Sequence, residues 1–201
     1  MIRILTGEEV KKALPMRQAI EAVKDAFAKL SAGQADAPLR TALSVPRHNG
    51  VALFMPAYLA AEGQVAPLMA MKIVSVFNEN PGKGLPLIHA LVVVVNAETG
   101  EPDAVMDGTY LTALRTGAAS GAATDLLARD DARVAAIFGA GAQGRTQLEA
   151  VCAVRPIDEA WIYDLEPGRA QAYAEEMEER IAVTVNVASD PAEAVGQADV
   201  I

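Results

Sequence analysis

The run Val134-Ala-Ala-Ile-Phe138, followed at once by Gly139-Ala-Gly141-Ala142-Gln143-Gly144, decides the fold. Its first five residues read as a buried strand, and Gln143 to Val154 as the helix that follows. Between them each glycine has its own task. Gly139 permits a tight turn, Gly141 lets a pyrophosphate approach the backbone, and Gly144 lets the helix lie close on the strand. The first helical turn then offers free amides and a partial positive charge to an anion. The glycine pattern alone is a weak signal, and a ligand-free glycine turn is the competing reading. A second strand ending at Asp164, 20 residues after Gly144, strengthens it. An acid there accepts hydrogen bonds from the adenosine ribose hydroxyls and repels a 2′-phosphate. The expected cofactor is therefore NAD, with NADP less favoured; Arg169, five residues on, softens that preference in principle.

Toward the C-terminus the alternation continues. Ala160 to Asp164 is a strand, Glu166 to Arg180 a charged helix, and Val183 to Val187 a third strand. Asp190 caps a short helix, and Ala198 to Ile201 begins a fourth strand. Alternation of this kind predicts a Rossmann-type parallel sheet with right-handed crossovers, incomplete at its C-terminal end. The chain is thus expected to be a fragment of a longer protein, the alternative being a short chain with a frayed edge strand.

Toward the N-terminus, Gly108 to Arg129 is a helix crowded with small residues from Thr116 to Ala123, which allow another backbone or a ligand to come close. The domain boundary is placed here, between residues 1–115 and 116–201. The first half is predicted to be α+β and largely antiparallel. Thr6 and Glu9 form a capping-box pattern. A helix from about Met16 to Ala32 carries Met16, Ile20, Val23, Phe27 and Leu30 on one face, with Gly33 as its stop. Short β-like runs follow: Leu39 to Val45, Val51 to Met55, Met69 to Val76, Ile88 to Asn96 and Asp103 to Met106. Asn49-Gly50 and Thr99-Gly100 read as turn tips, and Asn78 to Pro86 as an ordered loop.

A formal charge of −9 argues against nucleic acid and against anionic membrane surfaces. The apolar run Ala90 to Val95 is far shorter than the roughly 20 residues a bilayer requires. A single cysteine, Cys152, excludes an internal disulfide and fits a reducing cytoplasm. With only two histidines, no metal-ligand spacing exists, and no metal site is expected.

Arg40, Lys72 and Arg115 each sit among apolar or small residues, where charges are uncommon unless paired or functional. Singly, each reads better as a cation that snorkels to water or meets a distant acid. Together they suggest a pocket for an anionic substrate, the arginines gripping a carboxylate through paired hydrogen bonds. A lysine there holds the same group or exchanges protons. His89 reads as a core histidine, His48 as solvent-facing, Cys152 as packing and Asp107 as a helix cap.

The segments Lys72, Asn80-Pro-Gly-Lys-Gly-Leu-Pro86, Thr99-Gly-Glu-Pro102, Ala104 to Ala119 and Phe138 to Gly144, in this order, resemble the ornithine cyclodeaminase/μ-crystallin family across essentially the whole chain. The stretch Leu111-Thr-Ala-Leu-Arg-Thr116 is more specific than the glycine pattern. The resemblance implies a homodimer whose first half forms the subunit contact and binds substrate, the second half being the NAD-binding domain. It implies carboxylate binding by Arg40, Lys72 and Arg115, with Lys72 the catalytic lysine. It also implies cofactor phosphates meeting Gly139, Gly141, Ala142, Gln143 and Gly144, and Thr116 with Gly117. A catalytic aspartate is implied beyond residue 201, and a chain lacking it is expected to turn over no substrate alone.

Members share hydride removal from an amino acid Cα, or its reverse. The leading expectation is an ornithine cyclodeaminase, converting L-ornithine to L-proline with loss of ammonia. Alanine dehydrogenase and cyclic ketimine reductase remain close alternatives. A non-catalytic cofactor- and small-ligand-binding protein of μ-crystallin type is the alternative of another class.

Overall fold

In the computed structural model, which describes residues 1–61 and 66–201, the chain divides into two units. The first comprises Met1–Leu14 and Asp25–Thr112, the second Pro15–Lys24 and Ala113–Ile201. The class is mixed α/β as expected, with a mostly antiparallel sheet in the first unit and a parallel one in the second.

In the first unit, strand β1 (Arg3–Leu5) leads into helix α1 (Gly7–Ala13), whose start is the expected capping box. Thr6 Oγ1 accepts from the Glu9 amide at 3.3 Å, and the Glu9 carboxylate accepts from the Thr6 amide at 2.8 Å. Helix α2 (Met16–Ser31) is followed by β2 (Ala35–Asp36), β3 (Thr41–Val45), β4 (Gly50–Leu59), β5 (Leu68–Phe77), β6 (Ile88–Asn96) and β7 (Pro102–Asp107). These strands pair in the order β1-β7-β6-β5-β4-β2, and β3 also pairs with β4. Every pairing is antiparallel except β1 with β7. Strand β1 carries no periodic signal because it has three residues, of which Ile4 is exposed.

Turn chemistry sets the registers. Asn49 adopts a left-handed conformation at the β3–β4 tip, and Gly100 does so between β6 and β7. The loop from Asn78 to Pro86 is braced by its own Asn80, whose side-chain amide donates to Pro86 O at 2.9 Å. On α2 the expected apolar face is buried only in its first turns, at Met16 and Ile20; Phe27 and Leu30 are exposed.

The second unit takes in helix α3 (Gly108–Leu127) from Ala113 onward. Then come β8 (Val134–Phe138), α4 (Ala142–Val154), β9 (Glu159–Tyr163), α5 (Pro167–Ile181), β10 (Thr184–Val187) and α6 (Pro191–Gln197). The sheet order is β10-β9-β8, all parallel, and Val200 forms a parallel bridge to Ala135 on the far side of β8. Leu148, Ile162, Tyr173 and Met177 are fully buried at its core. Alanines at 135, 160 and 174 let helices approach the sheet closely.

Two glycines bring α3 onto its neighbours. A Cβ at Gly117 would strike the backbone carbonyl of Thr146 on α4, and one at Gly121 would meet Ile20 and Ala150. The C-terminal carbonyls of α3 lack intrahelical partners, and the buried Arg155 supplies them. Its guanidinium donates to the carbonyls of Asp125, Ala128 and Arg129, each at 2.9 Å, and its Nη1 meets the Asp125 carboxylate at 3.1 Å. Lys24 also reaches that carboxylate. Among the described residues no helix is long and apolar enough to cross a membrane.

Substituting Gly117→Ala inserts a methyl group against backbone that has no rotamer by which to yield. The expected cost is about 1–3 kcal/mol, read as a fall in Tm of several degrees in a thermal melt. A Tm unchanged within about a degree would show that α3 and α4 are not in this close contact.

Candidate functional site

The turn between β8 and α4 is held from several sides. Gly139, at φ 101, takes a conformation that residues with a Cβ avoid. Its amide donates to Tyr163 O on β9 at 2.8 Å. Gly144 is buried, and a Cβ there would run into the carbonyl of Gly139. Around Gly141 the space is open: an added Cβ would meet nothing within 4 Å. Gly141 is the N-cap of α4 and no side chain caps the helix. The exposed residues Ala142 and Gln143 therefore begin the helix with amides that its own hydrogen-bond ladder does not use. This is a cradle for an anion, open where a phosphate would approach and closed where the helix meets the strand.

Asp164, expected to meet a ribose, is already engaged. Its Oδ2 accepts from the Ala140 amide at 2.8 Å and its Oδ1 from the Glu166 amide at 2.9 Å. It latches the β8–α4 loop to the β9–α5 loop. These amide bonds, Glu166 first and Ala140 next, hold its carboxyl below the usual range. Each oxygen retains a second lone-pair site, so latch and ribose acceptor are compatible roles. Beside it lies a cleft of about 390 Å³, lined by Phe138, Tyr163, Asp164, Leu165 and Arg169 among others. The Phe138 and Tyr163 rings stand 6.3 Å apart at its wall.

Arg145, Tyr173 and Glu176 escaped the sequence reading. Arg145 donates from Nη1 to Ala140 O at 2.7 Å and Gly141 O at 3.0 Å, and grips Glu176 through Nε and Nη2. Its place directly after Gly144 is the one hint the sequence offers. Glu176 lies 31 positions on, and only the crossover brings it near.

In the first unit, Lys72 lies midway along β5, half-buried, paired with Met55 on β4 and Val92 on β6. Asp36 pairs with Tyr58 and Thr41 with Phe54, so the four residues 37–40 face the three residues 55–57. One residue is extra on that edge, a bulge of the kind that re-aims side chains. Arg40 is the last residue of this unpaired stretch, directly before the Thr41–Phe54 pair. Met55 and Lys72 are direct register partners across β4 and β5. Met55 and Lys72 share their face with Val74, Val92 and Ala104, the buried residues of the sheet.

The apolar sequence around the arginines does not amount to burial. Arg40 and Arg115 are exposed, because on an edge bulge or a helix the apolar neighbours point elsewhere. Arg115, Thr116 and Gly117 lie on α3 in the second unit, where packing against Thr146 accounts for the glycine. His89 is corrected from a core residue to an exposed one on β6, since alternation turns it to the less covered face. Cys152 packs against the core, and burial pushes its thiol up to about 11. Asp107 caps α3, its Oδ1 accepting from the Tyr110 amide at 2.9 Å.

A glycine-turn strand–helix unit with a latched acid follows, in one chain, an antiparallel unit carrying a lysine midway along a central strand. The description "Ornithine cyclodeaminase/mu-crystallin family" matches residues 2–201, and the chain belongs to that family. It is 35% identical over 198 residues to a Delta(1)-pyrroline-2-carboxylate reductase of Bacillus cereus, covering 98% of this chain and 60% of that protein. Among solved structures, Thermococcus litoralis Delta(1)-pyrroline-2-carboxylate reductase in complex with NADH and L-proline matches with TM-score 0.90 and 44% identity, over 98% of this chain and 60% of the other. An archaeal alanine dehydrogenase dimer with bound NAD matches with TM-score 0.84 and 38% identity, over 96% and 57%. The chain spans about 60% of the length of these relatives.

The depressed Asp164 carboxyl has a consequence for stability. A group whose folded pKa lies below its unfolded value stabilises the fold above the unfolded value, about 3.9 for aspartate, and stops doing so as pH falls through the folded one. The Tm advantage of the native protein over Asp164→Asn should be full at pH 6 and shrink below about pH 4. A difference independent of pH would show that the latch does not depend on the charge.

Proposed function

We propose that the protein is an NADH-dependent reductase of a cyclic ketimine carboxylate, of the Δ1-pyrroline-2-carboxylate type, forming L-proline. The observation that carries this reading is the 44% identity, at TM-score 0.90, to a reductase of that substrate held with NADH and L-proline. It reverses the order in which sequence alone ranks the activities, where ornithine cyclodeamination leads. Oxidation of L-alanine is the second reading, favoured by the likeness to the alanine dehydrogenase. Both need the same groups in the same roles.

The proposed division of labour follows the two units. In the second, the amides at Gly141, Ala142 and Gln143 receive the cofactor pyrophosphate, and Thr116 and Gly117 line its approach. Asp164 accepts from the adenosine ribose, which favours NADH over NADPH. When bound, the reduced nicotinamide supplies the hydride that saturates the C=N bond. In the first unit, the guanidinium of Arg40 and the ammonium of Lys72 hold the substrate carboxylate. Lys72 also holds a proton within reach of the imine nitrogen, which must gain one as the bond is reduced. Arg115 is the third carboxylate ligand. The role assigned to the protein is to orient the reactants and hold charge in place.

The other face of the antiparallel sheet, with Tyr58, Met69 and Leu91 exposed, is proposed as the homodimer contact. A cytoplasmic location accords with the free thiol of Cys152.

The test is an assay of the full-length protein with NADH and Δ1-pyrroline-2-carboxylate, in parallel with NAD⁺ and L-alanine and with L-ornithine and trace NAD⁺. Consumption of NADH with formation of proline is expected, at least about 10-fold faster than with NADPH. Lys72→Met should lower kcat/KM by about 100-fold or more while NADH affinity stays unchanged. Ammonia and proline from ornithine, with no reduction of the imine, would instead establish a cyclodeaminase. A Lys72→Met enzyme of undiminished activity would remove that residue from the mechanism.

A further inference from the structure

A glycine-rich loop is free to turn its amides either way, so something must hold it before a ligand arrives. A trans peptide is planar, with its C=O and N–H on opposite sides. The carbonyl of Ala140 is turned to Arg145 Nη1 at 2.7 Å, which sends the Gly141 N–H the other way. The carbonyl of Gly141 accepts from the same nitrogen at 3.0 Å, which does the same for the Ala142 N–H. The Ala140 N–H is itself taken up by Asp164. Successive peptide planes of the loop are thereby assigned a direction.

The side chain that does this is itself fixed. Arg145 Nε and Nη2 donate to the Glu176 carboxylate on α5 at 2.7–3.0 Å. Its guanidinium lies 5.3 Å from the centre of the Tyr173 ring, and the Tyr173 hydroxyl donates to Gly144 O at 2.9 Å. Tyr173 is fully buried, and its burial pushes the phenol up, so it stays a donor. Glu176 meets the charge of Arg145, which leaves the guanidinium to act through the geometry of its fork rather than through its field. A lysine offers a single nitrogen and spans no such set of acceptors.

We infer that Arg145 is a positioning residue for the dinucleotide: clamped by Glu176 and Tyr173, it orients the loop peptides so that the amides of Gly141 and Ala142 face the pyrophosphate, and it touches neither substrate nor the reacting atoms. The inference rests on the dinucleotide reading of the loop.

The experiment titrates the full-length protein and its Arg145→Lys, Arg145→Met and Glu176→Gln variants with NADH and with ADP-ribose, following fluorescence and heat, with Tm measured on each. Arg145→Lys keeps the charge and should still bind both ligands about 10-fold more weakly, and Arg145→Met about 10- to 100-fold more weakly. Glu176→Gln should fall between Arg145→Lys and the native protein. In turnover, the KM for NADH should rise by the same factor while kcat at saturating NADH and the KM for the imine stay unchanged. If Arg145→Met fails to fold, Arg145→Lys and Glu176→Gln decide alone. Native-like NADH affinity in Arg145→Lys, or a fall in kcat without a rise in the KM for NADH, would overturn the positioning role and leave the dinucleotide reading intact. Failure of the native protein to bind either ligand would overturn that reading, and the inference with it.

Discussion

Helix α4 starts with amides that its own turns do not satisfy, and much of the second unit is arranged around that start. The helix can begin where it does only because Gly144 brings it against the carbonyl of Gly139. Gly139 in turn must take a conformation that few residues tolerate. Buried donors without partners are costly, whereas donors left at an open helix end are available to an anion. Asp164 on one side and Arg145 on the other hold the loop in that state. Residues that read as binding groups, and residues that read as packing, form one connected set of hydrogen bonds.

The first unit solves a different problem. A charge in the middle of a sheet is uncommon unless it is met or used, and Lys72 stands half-buried midway along β5. Arg40 stands in the unpaired connection between β2 and β3, directly before the Thr41–Phe54 pair. On the proposed function these two cations serve the substrate carboxylate.

What the sequence made legible follows from how local each signal is. The capping box at Thr6 and Glu9, the turns at Asn49 and Gly100 and the strand–glycine–helix run are all written within a few neighbouring residues. The strands from β3 to β10 and the helices between them fall close to their expected places for that reason, except that β4 runs four residues past the expected Met55, to Leu59. The three-residue strand β1 is too short to carry a period. The exposure of Phe27 and Leu30 and of His89 depends on which faces are covered, which no local pattern states. The grip of Arg145 on Glu176, and the support of the α3 carbonyls by Arg155, join residues about thirty positions apart. The second role of Asp164 was hidden in another way: the acid stands where the pattern requires it, and the structure loads it with amide bonds as well.

On the proposed function, the loop is formed in advance to receive a pyrophosphate on the amides at the head of α4. Amide chemical shifts of the isotopically labelled protein, recorded with and without NADH, test it most directly. The largest changes are expected on Gly141, Ala142 and Gln143, with Phe138 and Tyr163 keeping their strand shifts. Changes concentrated elsewhere in the chain, with these three amides unmoved, would contradict it.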